Sequence, residues 1–445
     1  MLYVITVGEK DFENLFDNKM GKTKAGDGLR ISVPMREHCL KILNYKKRRG
    51  PMPVDIVNEV KKLEDKKEEW RNAVSSSREM ILSNLAMISQ IPAPTFEEKN
   101  RSELIIERFS ECGVAEPETD EMYNGCGMLY GTTGERNILI TTHMDNNFDQ
   151  FVDQNISITE HRIFGAGTPE DNLALAVLCT LHDIFSRADF KLKSNISLLA
   201  TTRFNGRGDF SGIRHYMKNC RKRPDYVINL SGITLGQLDY FTLSRIRCDI
   251  TVERGNFYES PWLSGSGNST IIVANEIINS ILRIPLPRKP KSLINIGMIK
   301  GGERFSTISR QTVFRLEVLS EDDSITDSVI GNIQDNCTDI GAKFGADVKL
   351  EFFGRHHAKG LTCSHPMIKC AAEIINSIGS RPTMNFINSE ISVALAEGIP
   401  SLNLGLTTGE GGLGGKSYID IKPIKDGIVQ LMMLINLIDN GICDE

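Results

Sequence analysis

Residues 137–146 read NILITTHMDN, and the parsing of the whole chain turns on them. Apolar and β-branched residues run without a charge until Asp145, too short a run for a membrane helix. This is the signature of a strand buried on both faces, Asn137 to Thr142, as in parallel sheets covered by helices. The strand delivers His143 and Asp145 at its carboxyl end, where open α/β sheets bind ligands. Two further strands of the same kind follow, Asn195 to Thr201 and Tyr226 to Leu230, each ending near polar residues (Asn205, Ser231). Helical periods precede them at Met80 to Gln90 and Lys99 to Cys112, and another, Leu173 to Phe185, separates the first two.

Outward from this core the texture changes twice. Between Phe241 and Gly354, alternating strands (Arg247 to Glu253, Leu293 to Ile299, Thr312 to Leu319) surround two helices, Ile271 to Ile284 and Ile325 to Gly341. That pattern predicts a small α+β sandwich inserted into the larger domain. The first pattern then resumes with helix His365 to Ile378, strand Pro400 to Leu404 and helix Asp426 to Asp439. The expected organisation is a leader over 1–75, an α/β domain from 76–240 plus 356–445, and an inserted domain over 241–355. In the leader, Leu2 to Val7 reads as a strand, a helical pattern begins near Pro34, and Val54 to Ala73 reads as a charged, solvated brace.

Composition narrows the function classes. With 445 residues and a net charge of −5, the chain offers no electrostatic footprint for nucleic acid. The clusters Lys46–Arg49 and Arg221–Arg223 are short and read as solvated faces. No stretch approaches the roughly 18 apolar residues of a membrane span. The start, MLYVITVGEKDF, lacks a basic segment and a small-residue cleavage site. The ten cysteines show no C-x-x-C pair, which suits reduced thiols in the cytoplasm.

Five segments, in order, resemble the aminoacylase, carboxypeptidase and peptidase T family of dizinc hydrolases, from about residue 78 to the C-terminus. ILITTHMDN resembles the family's strand and His-x-Asp. FGAGTPEDNLALAVL resembles its Gly-x-Gly segment with a metal-bridging Asp. FNGRGDFSGIRHYM resembles Glu-Glu-Gly-x-Gly-Asp-x-x-Gly without the two glutamates. INIGMIKGGERFSTIS resembles a segment of the lid, and LAEGIPSLNLGLTTGEGG the last strand and its glycine loop. The resemblance implies a three-layer α/β catalytic domain with a mostly parallel central sheet, plus an inserted α+β sandwich that acts as lid and dimerisation domain.

It also implies where the metals would sit. His143 matches the first ligand and Asp145 the carboxylate that orients it. The bridging position falls on Glu170, with Asp171 beside it. The catalytic base falls on Phe204 and a neighbouring ligand on Asn205. The next ligand falls on Ser231, and the final histidine on Leu413 or Gly414. In the lid, substrate-binding positions fall on Ser260, ahead of Trp262, on Ser306 and near Leu319. Glu390 matches a polar residue lining the pocket. A dizinc hydrolase needs two metals that activate a shared water and a carboxylate to move its proton, so this set of replacements implies lost dizinc hydrolysis.

Other residues weighed for a rebuilt site are His161, His215 and the pair His356–His357, whose side chains would point apart on a strand. Asp209 and Glu410 fall near the presumed pocket, Asp209 reading more simply as the cap of the following helix. The loop Gly405 to Gly415 lacks the context of a phosphate-binding loop. The expectation is a non-catalytic homologue, a homodimer through the lid, that binds a small peptide, an amino-acid derivative or a protein partner. The alternative is a divergent enzyme working without metal through Asp145, Asp209 and Glu410, or with one zinc or other divalent ion on His143, Glu170 or Asp171 and a residue from elsewhere. A third possibility is a scaffold docking through residues 1–75. No cofactor is expected from the sequence.

Overall fold

The computed structural model of the chain describes residues 55–148, 152–255, 269–385, 388–411 and 417–445, apart from the side chains of Pro169 and Glu170. The expectations at Leu2–Val7, Pro34 and Lys46–Arg49, and those at Ser260, Trp262, Leu413 and Gly414, lie outside the described residues.

A seven-stranded sheet forms the centre of the larger domain. Its order is Ala115–Thr119, Gly125–Leu129, Asn195–Thr201, Asn137–His143, Tyr226–Ile233, Ser401–Thr407, Leu238–Asp239. The four middle strands are mutually parallel, and every residue of Asn137–His143 is buried. On one face pack Leu173–Arg187, all but polar at its surface ends, and Ile424–Asp439, both almost wholly buried and apolar. On the other face Ser211–Asn219 and Ile391–Ala396 close a second cluster around Leu139, Leu199 and Val227. These layers put the carboxyl ends of four parallel strands at one edge.

The stretch expected as a solvated brace is instead part of the core. It forms two helices, Ile56–Lys62 and Glu64–Ser76, whose stripe of Ile56, Val60, Leu63, Trp70, Ala73 and Val74 is buried in the main cluster. Most of its charges occupy the opposite face, although Lys67 is buried with its ammonium on the Ser377 carbonyl, and the charge density masked the stripe at helical spacing. Trp70 meets Phe190 edge-on with ring centroids 5.2 Å apart, and Arg71 holds Asp426 of the last helix at 2.8 Å.

The insertion is a four-stranded antiparallel sheet, in the order Ser292–Gly301, Gln311–Ser320, Ser244–Glu253, Asp347–His356. Helices Thr270–Leu282 and Asp323–Phe344 cover one face over a core of its own that includes Cys248, Ile250, Val273, Ile277, Phe314 and Ile333. The chain enters and leaves through a short antiparallel ribbon, Phe241–Thr242 against Lys359–Gly360. Among the described residues no helix is long and apolar enough to cross a membrane, and all nine described cysteines are free thiols.

Candidate functional site

The strand end at His143 meets the loop after Thr201, because the two strands are adjacent and in register to their last residues. Arg203 adopts a left-handed backbone (φ 56°) there, its amide donating to Glu98 at 2.8 Å, and the chain turns Phe204 across the cleft. The Phe204 ring lies flat on the His143 imidazole, with centroids 3.8 Å apart and planes 11° off parallel.

Both imidazole nitrogens are engaged. Nδ1 meets the Asp145 carbonyl at 2.9 Å, and Nε2 forms a short ion pair with Asp171. Burial pulls the pKa of His143 down, but the charge and hydrogen bond of Asp171, with Asp145 and Glu390 behind them, raise it to about 10. In this arrangement the imidazolium form is favoured, paired with Asp171.

Asp145 is saturated. Thr95 Oγ1 donates to it at 2.7 Å, the amides of Phe204 and Asn205 at 2.9 Å each, and the Asn205 side chain at 3.3 Å. Asn205, at a ligand position of the resemblance, thus serves to fix the carboxylate that fixes the loop. Ser231 turns its hydroxyl onto the Ile233 carbonyl at 2.6 Å. Glu390 does not line a pocket, as the resemblance implied. It is buried beneath the strand ends, where Thr201 and Thr141 donate to it, and burial pushes its carboxyl up to about 7. It sits there because the helix Ile391–Ala396 starts under the sheet edge.

The remaining candidates disperse. Ser306 is exposed on the lid loop with a left-handed backbone, and Glu410 is exposed on a two-residue strand. His215 is half-buried on its helix beside Asn219, and His161 is exposed. His356 and His357 point apart: His357 reaches Asp323 at 3.1 Å in the lid, while His356 is buried at the hinge. Asp209 does not cap the following helix, which has no side-chain cap. Its own left-handed backbone (φ 47°) swings the carboxylate to Arg245 and His356 instead.

Arg101 escaped sequence reasoning. Its buried guanidinium donates to the carbonyls of Met144 at 2.7 Å and Ile91 at 3.0 Å and to Asn172 Oδ1 at 3.1 Å, bracing the turns on either side of His143. The signal was its spacing: Arg101, Ile105 and Phe109 recur every four residues, so a charge stands on the buried stripe of its helix.

Beyond Asn205 the loop reaches the helix-free face of the lid. A cavity of about 190 Å³ lies between Gly206–Arg207 and residues Arg247, Asp249, Asn295, Arg315 and Glu317. Arg207 crosses from the larger domain to bond Asp249 at 2.7 Å and Glu351 at 2.8 Å, stacked over Phe353. Arg247 donates back to the Gly206 carbonyl at 2.6 Å.

The architecture matches solved structures over about four-fifths of the chain. This is the fold of the M20 dizinc peptidases. The chain is similar to aminopeptidase PepT from Bacillus cereus, at 17% identity over 81% of this chain and 99% of that one, with a TM-score of 0.62. It is similar to the dipeptidase Dug1p of Saccharomyces cerevisiae, at 13% identity over 84% and 98%, TM-score 0.70. Human carnosine dipeptidase 1 matches at 10% over 84% and 99%, TM-score 0.66. No family model and no curated protein matches the sequence.

The donor set does not fit the dinuclear metal centre that the M20 fold implies. Among the described residues no three His, Cys, Asp or Glu side chains gather where they could hold an ion. The one histidine at a matching ligand position is paired with Asp171 and covered by Phe204, and Asn205 and Ser231 are bonded elsewhere.

Proposed function

We propose that this chain is a non-hydrolysing protein on the M20 fold that binds a small peptide or amino-acid-derived ligand in the cleft between its domains. The observation that carries this reading is the His143–Asp171 ion pair under the Phe204 ring. That pair engages the one histidine at a matching ligand position, and the stacked ring covers its face. No carboxylate stands at Phe204 to move the proton of a water.

The cavity beside Arg207 supports the ligand class. The cavity is lined by both signs of charge, Arg315 paired with Asp249 at 3.2 Å and Arg247 with Glu317 at 3.7 Å, so a small ligand carrying both charges suits it by exchanging with these pairs. Homodimerisation through the lid is supported by the outer strand Ser292–Gly301, which pairs on one side only among the described strands. Beside it Leu282, Leu293 and Ile299 are exposed. The free thiols suit a cytoplasmic setting.

A thermal-shift screen of amino acids and dipeptides, run with product analysis, tests the reading. Stabilisation by intact ligand supports it; turnover refutes it, and so does a screen without stabilisation.

A further inference from the structure

The ribbon that joins the domains is two residues wide on each side and by itself leaves the lid free to swing. One carboxylate stands beside it. Asp209, from the larger domain, accepts from Arg245 of the first lid strand at 2.8 Å and from His356 Nε2 of the last at 2.8 Å, and faces Arg214 at 3.5 Å. Arg245 and His356 are cross-strand partners, so one carboxylate grips both strands where they leave the lid. His356 Nδ1 in turn meets Ser392 Oγ at 3.1 Å, which returns the chain of contacts to the larger domain.

Ser392, His356 and Asp209 have the composition of a hydrolytic triad. Ser392 and His356 are each only 3% exposed, and Asp209 is shared with two arginines, so no substrate carbonyl reaches the hydroxyl. The group is a tie between domains.

The tie also has a path to the cleft. Arg245 lies over the Phe210 ring at 5.2 Å, and His356 meets that ring edge-on at 4.9 Å. Phe210 contacts Phe204 at 4.8 Å, and Phe204 is the ring stacked on His143. Two aromatic rings thus connect the occupant of the old metal position to the hinge.

We propose that Asp209 is the latch that fixes the lid's orientation, and that Phe210 and Phe204 couple the latch to the cleft. The role is one of positioning and stands whether or not the chain hydrolyses anything.

Hydrogen exchange read by mass spectrometry tests it on the full chain. In Asp209→Asn, amides of 241–247 and 354–360 are expected to exchange roughly tenfold faster or more, because the charge-assisted bonds that hold them are lost. The loop 202–206 is expected to follow, while Asn137–His143 and Asp323–Phe344 exchange as before. Unchanged exchange at the ribbon overturns the latch, and so does a uniform rise across the chain, which would mean general destabilisation. A looser ribbon with an unaltered 202–206 loop overturns the coupling. If Asp209→Asn fails to fold, Ser392→Ala loosens His356 from the other end and reads out at the same ribbon with the same criteria.

Discussion

Replacing Asp171 with asparagine keeps the shape of the site and removes the charge that protonates His143. The gap between about 10 and the ordinary histidine value of 6.5 is worth on the order of 5 kcal/mol, at about 1.36 kcal/mol per pH unit. Part of that returns because the asparagine still accepts a hydrogen bond and His143 reverts to the neutral form. The expected loss in Asp171→Asn is therefore about 3 kcal/mol at pH 7, the range for breaking one side of a buried pair. The sign fixes the pH window. A group whose folded pKa is raised contributes fully below its unfolded value of 6.5, and the contribution disappears as pH rises through about 10. Wild type should thus lose stability between these values, and the variant should lose far less. Urea denaturation across that range, with NMR titration of the His143 ring, reads both quantities. A wild-type His143 that titrates near 6.5, or a variant within 1 kcal/mol of wild type by urea (roughly the worth of one ordinary hydrogen bond), refutes the reasoning.

Further expectations follow from neighbouring parts. Glu390→Gln should stabilise the protein above pH 7: ionising the buried carboxyl costs about 3 kcal/mol, from the gap between 4.5 and about 7, and that cost accrues as pH rises between them. Denaturation of wild type and variant at pH 5 and pH 8 checks this, and an equal difference at both would contradict it. Trp70→Ala should cost about 3–5 kcal/mol, as a core residue rather than one on a detachable brace; a loss under 1 kcal/mol by denaturation would return the helix to the surface. Ile299→Lys on the outer lid strand, 55% exposed in the single chain, should convert the dimer proposed above to a monomer in light scattering. A variant that remains dimeric places the interface elsewhere.

The architecture was legible because it rests on burial patterns. Asn195–Thr201 reads and folds over the same residues, and the ends of the two lid helices fall within three residues of those expected, the first stopping two short at Leu282. The helices at 56–76 were misread because their exposed face is densely charged and their buried face interrupted. At the site, identities were legible but partners were not. Phe204 is plainly no base in the sequence, yet its stacking on His143 depends on the left-handed turn at Arg203. Asp209 looked like a helix cap because nothing in the local sequence reveals Arg245 and His356, which are brought from 36 and 147 residues away.

The central claim is that the His143–Asp171 pair beneath Phe204 is not a dinuclear metal centre. Elemental analysis after incubation with excess zinc and exhaustive dialysis tests it most directly. The account predicts a folded protein with no zinc above the buffer background. Two tightly held zinc ions per chain would contradict it.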